Sequence, residues 1–243
     1  MRYKIVFAYD GSNYNGYQKQ PKLRTIQGEF ERVLKQINNN KDTKFSSSGR
    51  TDAFVHANNQ VGHADIDVEI TEYKLKCALN SLLPEDIYVK ETKQVNSDFH
   101  SRYDVKSKEY LYKINLGVFN PVERKYIYQY NKELNINAMK KASKYLVGTH
   151  DFSSFSSNED KKENQVRTIY KINIKKIDDI LYIRFIGSGF LKYMVRIMVG
   201  VLIKVGEGKI KPSDVKEILD SKNRKKAFFT APPEGLYLDK VNY

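Results

Sequence analysis

Residues 46–61, SSSGRTDAFVHANNQV, decide how this chain is built, because a small-residue loop there separates two short runs of strand character. Phe45 to Ser48 reads as the end of one strand and Asn59 to Ile66 as the next. Asp52 then lies on a connection between two sheet strands, two residues after Arg50, and such loops are where scaffolds carry chemistry. The spacing alone leaves a plainer use open, in which Gly49 makes the turn and Asp52 satisfies backbone N–H groups.

On the N-terminal side, Tyr3 to Tyr9 alternates as a strand and Asp10-Gly11 turns it. Ile26, Phe30, Val33, Leu34 and Ile37 then recur at helical spacing behind a cap at Thr25. On the C-terminal side a helix is predicted over Glu72–Leu83, ended by Pro84, and a strand over Ile87–Val95. A second unit starts near Ser107, with a strand at Lys108–Leu116 and a helix at Ile136–Val147 ended by Gly148. A hairpin follows, Arg167–Ile177 and Ile180–Ile186, turned at Asp178-Asp179. After it come a helix at Phe190–Val205, a short helix at Pro212–Leu219 and a last strand at Leu236–Asn242. Ser153–Asn164, rich in serine and charge, is expected to be a mobile surface loop. Strands and helices in this order predict an α/β fold of the α+β kind. Two pseudo-duplicated halves, 1–105 and 106–243, would carry mainly antiparallel sheets with helices packed on them.

With 243 residues, 40% of them hydrophobic, the chain can bury a substantial core. Its single cysteine, Cys77, excludes an intrachain disulfide, and no cysteine and histidine spacing fits zinc, so a cytoplasmic setting is expected. Asp10 and Gly11 interrupt MRYKIVFAYDG too early for a leader peptide. The apolar run Tyr193–Val205 contains Arg196 and Lys204 and is too short to span a bilayer, so no membrane partner is expected. The net charge of +13 is unevenly spread. Residues 1–105 carry 15 Lys and Arg against 14 Asp and Glu, whereas residues 106–243 carry 27 against 15. That excess, with 18 tyrosines able to stack on bases, points to a polyanionic partner and to nucleic acid in particular. Lysine-rich solvated faces are the plainer account of the charge.

The string Gly49–Ala57, GRTDAFVHA, resembles the GRTDAGVHA signature of the tRNA pseudouridine synthase A family. The likeness runs through nearly the whole chain. Tyr17-Gln18-Lys19-Gln20 with Thr25–Glu29, Phe99-His100-Ser101-Arg102 with Lys108-Glu109-Tyr110, His150-Asp151-Phe152, Gly189 to Gly200, and Ala231-Pro232-Pro233-Glu234-Gly235-Leu236 resemble further family blocks in the same order. The resemblance implies two α/β halves joined around a basic central cleft. It also implies isomerisation of uridine to pseudouridine without a cofactor or metal, tRNA uridines 38, 39 and 40 of the anticodon stem and loop as targets, and a homodimer.

Such an isomerase breaks N1–C1′ of a uridine, turns the retained base and joins C5 to C1′. One ionised carboxylate near C1′ serves this, whereas a glycosidase needs two because it must also activate water. The residues leave its role open between nucleophile, base and electrostatic stabiliser. The resemblance makes Asp52 that carboxylate, Tyr110 the ring that stacks on the target uracil, and Arg196 a partner of the aspartate. Arg50 would favour the charged form of Asp52 or bind phosphate. As bare patterns, Tyr110 is a core tyrosine and Lys192, Arg196, Gly200 and Lys204 form a ladder on one face of a helix. Tyr14, Tyr17, Lys19, Lys22 and Arg24 mix rings with positive charge as RNA contacts, and Gln18, His56, Arg102 and Lys192 join the substrate-binding candidates. Phe54 stands where the family has glycine. The expectation is a negative φ with the ring turned into the cleft beside the flipped uridine; an inward anchor is the alternative.

Three rivals remain at this level: a paralogue of the same enzyme acting on another RNA, an RNA-binding protein without catalysis, and a metal-dependent nuclease using Asp52, Asp65 and Asp67.

Overall fold

The computed structural model describes residues 1–157 and 164–243. The first of its two units comprises residues 1–106 with 237–243, and the second residues 107–236. In chain order the first unit contains β1 (Arg2–Tyr9), α1 (Ile26–Ile37), β2 (Ser46–Ser47), β3 (His56–Asp65), α2 (Glu72–Leu82) and β4 (Ile87–Val95). The second contains β5 (Ser107–Asn115), β6 (Tyr128–Gln129), α3 (Ile136–Ser143), β7 (Gly148–Asp151), β8 (Val166–Ile177), β9 (Ile180–Gly187), α4 (Met194–Gly206) and α5 (Asp214–Asp220). The last strand, β10 (Leu236–Asn242), lies almost wholly in the first unit.

The sheet of the first unit places β1 between β3 and β4, antiparallel to both. The far edge of β3 is shared by β2, antiparallel at Gly62 and His63, and β10, parallel at His56 and Ala57. Strict alternation on β1 buries Tyr3, Ile5, Phe7 and Tyr9 on one face. Against that face α1 lays Ile26, Phe30, Val33 and Leu34, and its start is fixed by Thr25, whose side chain accepts from Gly28 N. Phe30 stacks on Phe45 with centroids 4.2 Å apart and tilts onto Phe7 at 4.5 Å. Gly62 makes room for this cluster, since a Cβ there would fall 2.2 Å from the Phe45 ring. Truncating Phe30 to alanine would cost about 3–5 kcal/mol.

In the second unit β9 lies between β5 and β8, antiparallel to both, β7 extends the sheet beyond β8, and β6 runs parallel along β5. The β8–β9 turn uses Asp178 at φ +49°, a left-handed position that aspartate tolerates. Helix α4 is buried nearly all round, and Gly200 and Gly206 let Phe229 and Met139 approach it closely.

The described residues are thus a mixed sheet-and-helix fold with mostly antiparallel strands, as expected, with several local corrections. The final seven residues leave the second half for the first, because β10 pairs with β3. The predicted helix at Ile136–Val147 stops at Ser143 and tightens into a 3₁₀ turn; Gly148, at φ +116°, opens β7 instead. Helix α4 starts at Met194 and not at Phe190, because Tyr193 takes a left-handed φ of +63°. Of the expected loop at Ser153–Asn164, Ser153–Phe155 forms a 3₁₀ turn with Phe155 buried, and residues 158–163 lie outside the described residues.

Candidate active site

The Asp52 loop is secured from three directions within the first unit. From β3, buried Gln60 accepts from Ser48 Oγ at 2.6 Å and donates through Nε2 to Gly49 O at 2.9 Å, while Ser48 N donates to Val61 O at 2.8 Å. From the end of β1, Tyr9 Oη lies 2.7 Å from Thr51 Oγ1. From the segment after β1, Tyr17 N donates to Thr51 O at 3.1 Å and Phe54 N to Tyr14 O at 3.4 Å. Gly16, at φ +94°, passes so close that a Cβ would lie 3.2 Å from Thr51 O, and a Cβ on Gly11 would strike Val55 O at 2.0 Å. Both positions therefore need glycine.

Sequence reading missed these supports. Gln60 sits in a polar Asn58-Asn59-Gln60 run that reads as a solvated strand face, yet its amide is buried because it completes the loop's hydrogen bonds. Burial raises the Tyr9 hydroxyl pKa well above the ordinary tyrosine value, and the charge of Asp52 adds to that rise, so Tyr9 stays a neutral hydrogen-bonding group. Asp52 itself is half-buried and Arg50 is exposed.

Four candidates on this unit differ from expectation. Phe54 has φ +65°, not a negative φ, and its side chain is 47% exposed, so it is not an inward anchor. A left-handed conformation costs a non-glycine residue about 1–2 kcal/mol. Tyr17 is only 2% exposed, because its backbone braces the loop and its ring joins the interior, which removes it as a surface for bases. His56 is also 2% exposed: it stacks on Tyr237 at 4.7 Å, and its Nδ1 accepts from Gly11 N, so it anchors strand ends and does not face a substrate. Tyr14 is buried too, with its hydroxyl bonded to Asp86 and its ring under Arg24, which itself holds Asp86 at 2.9 Å. Gln18, Lys19 and Arg102 are exposed, although Lys19 is paired with Glu31 at 2.9 Å.

The second unit holds the remaining candidates. Tyr110 lies on β5 opposite Phe185 and meets Phe190 edge-on at 5.0 Å. Arg196, in the first turn of α4, donates through Nε to Ala231 O at 2.8 Å, and Ala231 N returns a bond to Arg196 O at 3.0 Å. Tyr112, two residues along β5 from Tyr110 and on the same face, donates to Pro232 O at 2.6 Å. Gly235 packs against the Tyr112 ring, where a Cβ would come within 2.8 Å. The closing segment Ala231–Leu236 thus ties Arg196 to the strand that carries Tyr110.

Two cations lie over the Tyr193 ring, the Arg196 guanidinium at 5.2 Å from its centroid and Lys192 Nζ at 5.5 Å. The expected basic ladder is broken. Lys192 precedes the helix, Gly200 is packed under Phe229, and Lys204 is bound to Glu207 at 2.9 Å. The Glu207 carboxyl falls to about 2, because bonds from Lys209, Lys204 and Tyr130 outweigh the upward effect of burial. The nuclease reading fails on its carboxylates. Asp65 is held by Arg2 at 2.8 Å and Asp67 by Lys41 at 3.0 Å, and among the described residues no three His, Cys, Asp or Glu side chains converge as metal ligands.

The family model for tRNA pseudouridine synthase matches residues 5–104 and 142–243, segments that contain Asp52 with the supports of its loop, and Arg196 with the closing segment Ala231–Leu236, but not Tyr110 and Tyr112 on β5. The chain belongs to the tRNA pseudouridine synthase family. It is 46% identical to "tRNA pseudouridine synthase A 1" of Bacillus cereus over 243 residues, covering 100% of this chain and 98% of that protein. It is similarly 46% identical to tRNA pseudouridine synthase A of an Exiguobacterium species over 242 residues, with the same coverage, and 44% identical to that of Geobacillus kaustophilus, covering 94% of that protein. Among solved structures, a chain of a Cbf5-Nop10-Gar1 complex matches with a TM-score of 0.34 and 12% identity, covering 82% of this chain and 54% of that one, a likeness too slight to bear on the fold. As a family member the protein is an isomerase that converts uridine to pseudouridine. No helix among the described residues is long and apolar enough to cross a membrane.

Proposed function

We propose that this pseudouridine synthase acts on uridines 38, 39 and 40 in the anticodon stem and loop of tRNA, with Asp52 as the reacting carboxylate. The observation that carries the reading is the Asp52 loop: neutral donors and acceptors from Gln60, Ser48 and Tyr9 hold its backbone while Asp52 keeps partial access to solvent. A carboxylate held this way meets developing positive charge on a ribose without first having to be ordered. In the reaction N1–C1′ breaks, C5–C1′ forms, the C5 proton leaves and N1 gains a proton, so no water, metal or electron carrier enters the balance.

Tyr110 supplies a ring for the displaced uracil and Arg196 a positive charge, the roles that the family resemblance implies for them. Arg50, exposed on the same loop, reaches phosphate, with Gln18, Lys19, Arg102 and Lys192 as further RNA contacts. The protein works in the cytoplasm as a homodimer on whose two subunits one tRNA rests, in keeping with the frequency of two-fold assemblies.

The test is tritium release from tRNA carrying C5-labelled uridine, run in EDTA, with the modified positions then mapped. Release in EDTA with pseudouridine at 38 to 40 supports the assignment. Pseudouridine elsewhere in the tRNA would replace the target, and binding without release would leave only an RNA-binding protein.

A further inference from the structure

A cavity of about 430 Å³ opens in the second unit, lined by Ser157, Tyr193, Arg196, Arg224 and Thr230. Its character is set by Arg224, which the family block Ala231–Leu236 does not include. Arg224 begins a 3₁₀ turn, Arg224–Lys226, capped by the Asn223 side chain, which accepts from Lys225 N at 3.0 Å. Its guanidinium donates to Ala227 O and, at 2.7 Å, to Thr230 Oγ1. Both acceptors are neutral. Burial pushes the guanidinium pKa down, and no acidic group among the described residues contributes against that. A half-buried arginine whose bonds go only to neutral oxygens keeps its whole charge, and three of its five N–H donors remain for a ligand.

The other walls suit the same ligand. Arg196 adds a second guanidinium, Thr230 and Ser157 add hydroxyls, and the Tyr193 ring makes an apolar side. Lys192, Lys225 and Lys226 are exposed nearby in sequence, so the surrounding potential is positive. The planar Arg224 cation with a hydroxyl beside it matches the tetrahedral oxygens of a phosphodiester, and the cavity has room for the adjoining sugar.

We propose that this cavity is a phosphodiester subsite for the RNA strand, in which Arg224 holds one backbone phosphate. The proposal rests on the reading of the protein as an RNA-modifying isomerase and adds a contact to it.

The experiment uses the full chain and an anticodon stem-loop RNA, with affinity measured against salt. Arg224→Gln is expected to weaken binding about tenfold and to reduce the slope of log K against log salt by about one, with more of the loss in KM than in kcat. Thr230→Glu keeps Arg224 but places a carboxylate beside it, and it is expected to weaken binding at least as much; it decides the matter if Arg224→Gln melts early. A scan of single methylphosphonate linkages then identifies the phosphate. One neutral linkage should cost the wild type affinity and cost Arg224→Gln nothing further. Folded variants with wild-type affinity and slope, or losses that add at every linkage, would overturn the subsite. Absence of pseudouridine with the wild-type protein would instead overturn the isomerase reading, and it leaves the binding measurements to be judged separately.

Discussion

The Asp52 loop and the turn that starts α4 reach similar ends by different physics. Each places a charged residue next to an aromatic one in left-handed backbone: Phe54 at φ +65° two residues after Asp52, and Tyr193 at φ +63° three residues before Arg196. The other non-glycine residues at positive φ are lysine, asparagine or aspartate, types that tolerate turns better or sit in them commonly. The bonds that fix the approach to Asp52, at Ser48, Gly49 and Thr51, come from an amide, hydroxyls and backbone groups. Around Arg196 the hold is cationic, made of guanidinium bonds to carbonyl oxygens and of rings beside ammonium and guanidinium groups. The first arrangement fixes the course of a loop through neutral groups, whereas the cationic turn concentrates positive charge. Strain of this kind persists where surrounding structure over-determines it, often at working sites.

The largest expected effect breaks the first region at its centre. Asp52→Asn should lower the rate of tritium release at least about a hundredfold, while circular dichroism and tRNA affinity stay close to wild type. Turnover within a few-fold of wild type would remove Asp52 from the chemistry. Next comes the cradle. Gln60→Leu leaves Ser48 Oγ and Gly49 O without their partner and should cost about 1–3 kcal/mol in urea unfolding. Because the loop loses its registration and not its contacts to RNA, kcat should fall about tenfold with little change in tRNA affinity. A variant that loses only stability would make Gln60 a core residue and nothing more.

The two strained aromatics give a paired test of smaller size. In either position glycine relieves left-handed strain but adds chain entropy to the unfolded state, two effects of about 1 kcal/mol that oppose each other. Phe54→Gly and Tyr193→Gly should therefore both melt within a few degrees of wild type. Tyr193→Gly also removes the ring beside Lys192 and Arg196, and kcat/KM should fall roughly three- to tenfold. Phe54→Gly should instead change which uridines are modified, read by mapping pseudouridine across a tRNA pool. Equal modification patterns in Phe54→Gly and wild type would leave the exposed ring without a role in target choice.

The smallest expected effect concerns the neutral interior of the first unit. His63, bonded to Ser101, has its pKa lowered from 6.5 to about 4, by burial first and then by the charges of Arg2 and His100. Between those values the unfolded chain binds more protons than the native one, so stability falls as pH drops from 6.5 toward 4 and levels off below. Thermal melts across that range should show the decline in wild type and a shallower one in His63→Gln.

Long periodic segments were legible in the chain: β1, α1, α2, β4 and the β8–β9 hairpin follow alternation, helical spacing and turn residues that act locally. What escaped depends on single dihedrals or distant partners. The apolar run from Phe190 reads as helix throughout, and nothing in its periodicity reports that Tyr193 turns left-handed and delays α4 to Met194. Tyr17 and His56 sit in family blocks next to exposed residues, and only the packed structure distinguishes a ring that braces the loop from one that faces a ligand. Gln60 is polar on a strand, and its burial follows from an acceptor eleven residues earlier, Gly49 O, and a donor twelve residues earlier, Ser48 Oγ. The Asp52 loop was legible as a connection between sheet strands, whereas the role proposed for Asp52 came from the resemblance of GRTDAFVHA to the family signature, since the spacing alone also fits a plain turn.

The pairing of β10 with β3 has a consequence for synthesis on the ribosome. Asn58, at the start of the strand that leaves the Asp52 loop, bonds to Asp239, 181 residues later. Until that late segment emerges, the His56–Ala57 end of that border, beyond the part that β2 covers, lacks its partner strand. Closing so long a loop is slow compared with forming the β1–β4 and β1–β3 ladders. The nascent first unit therefore waits, with that short stretch of border unpaired, until residues 236–242 are made. A fragment ending at residue 106 should remain in that state and associate with itself through the same border.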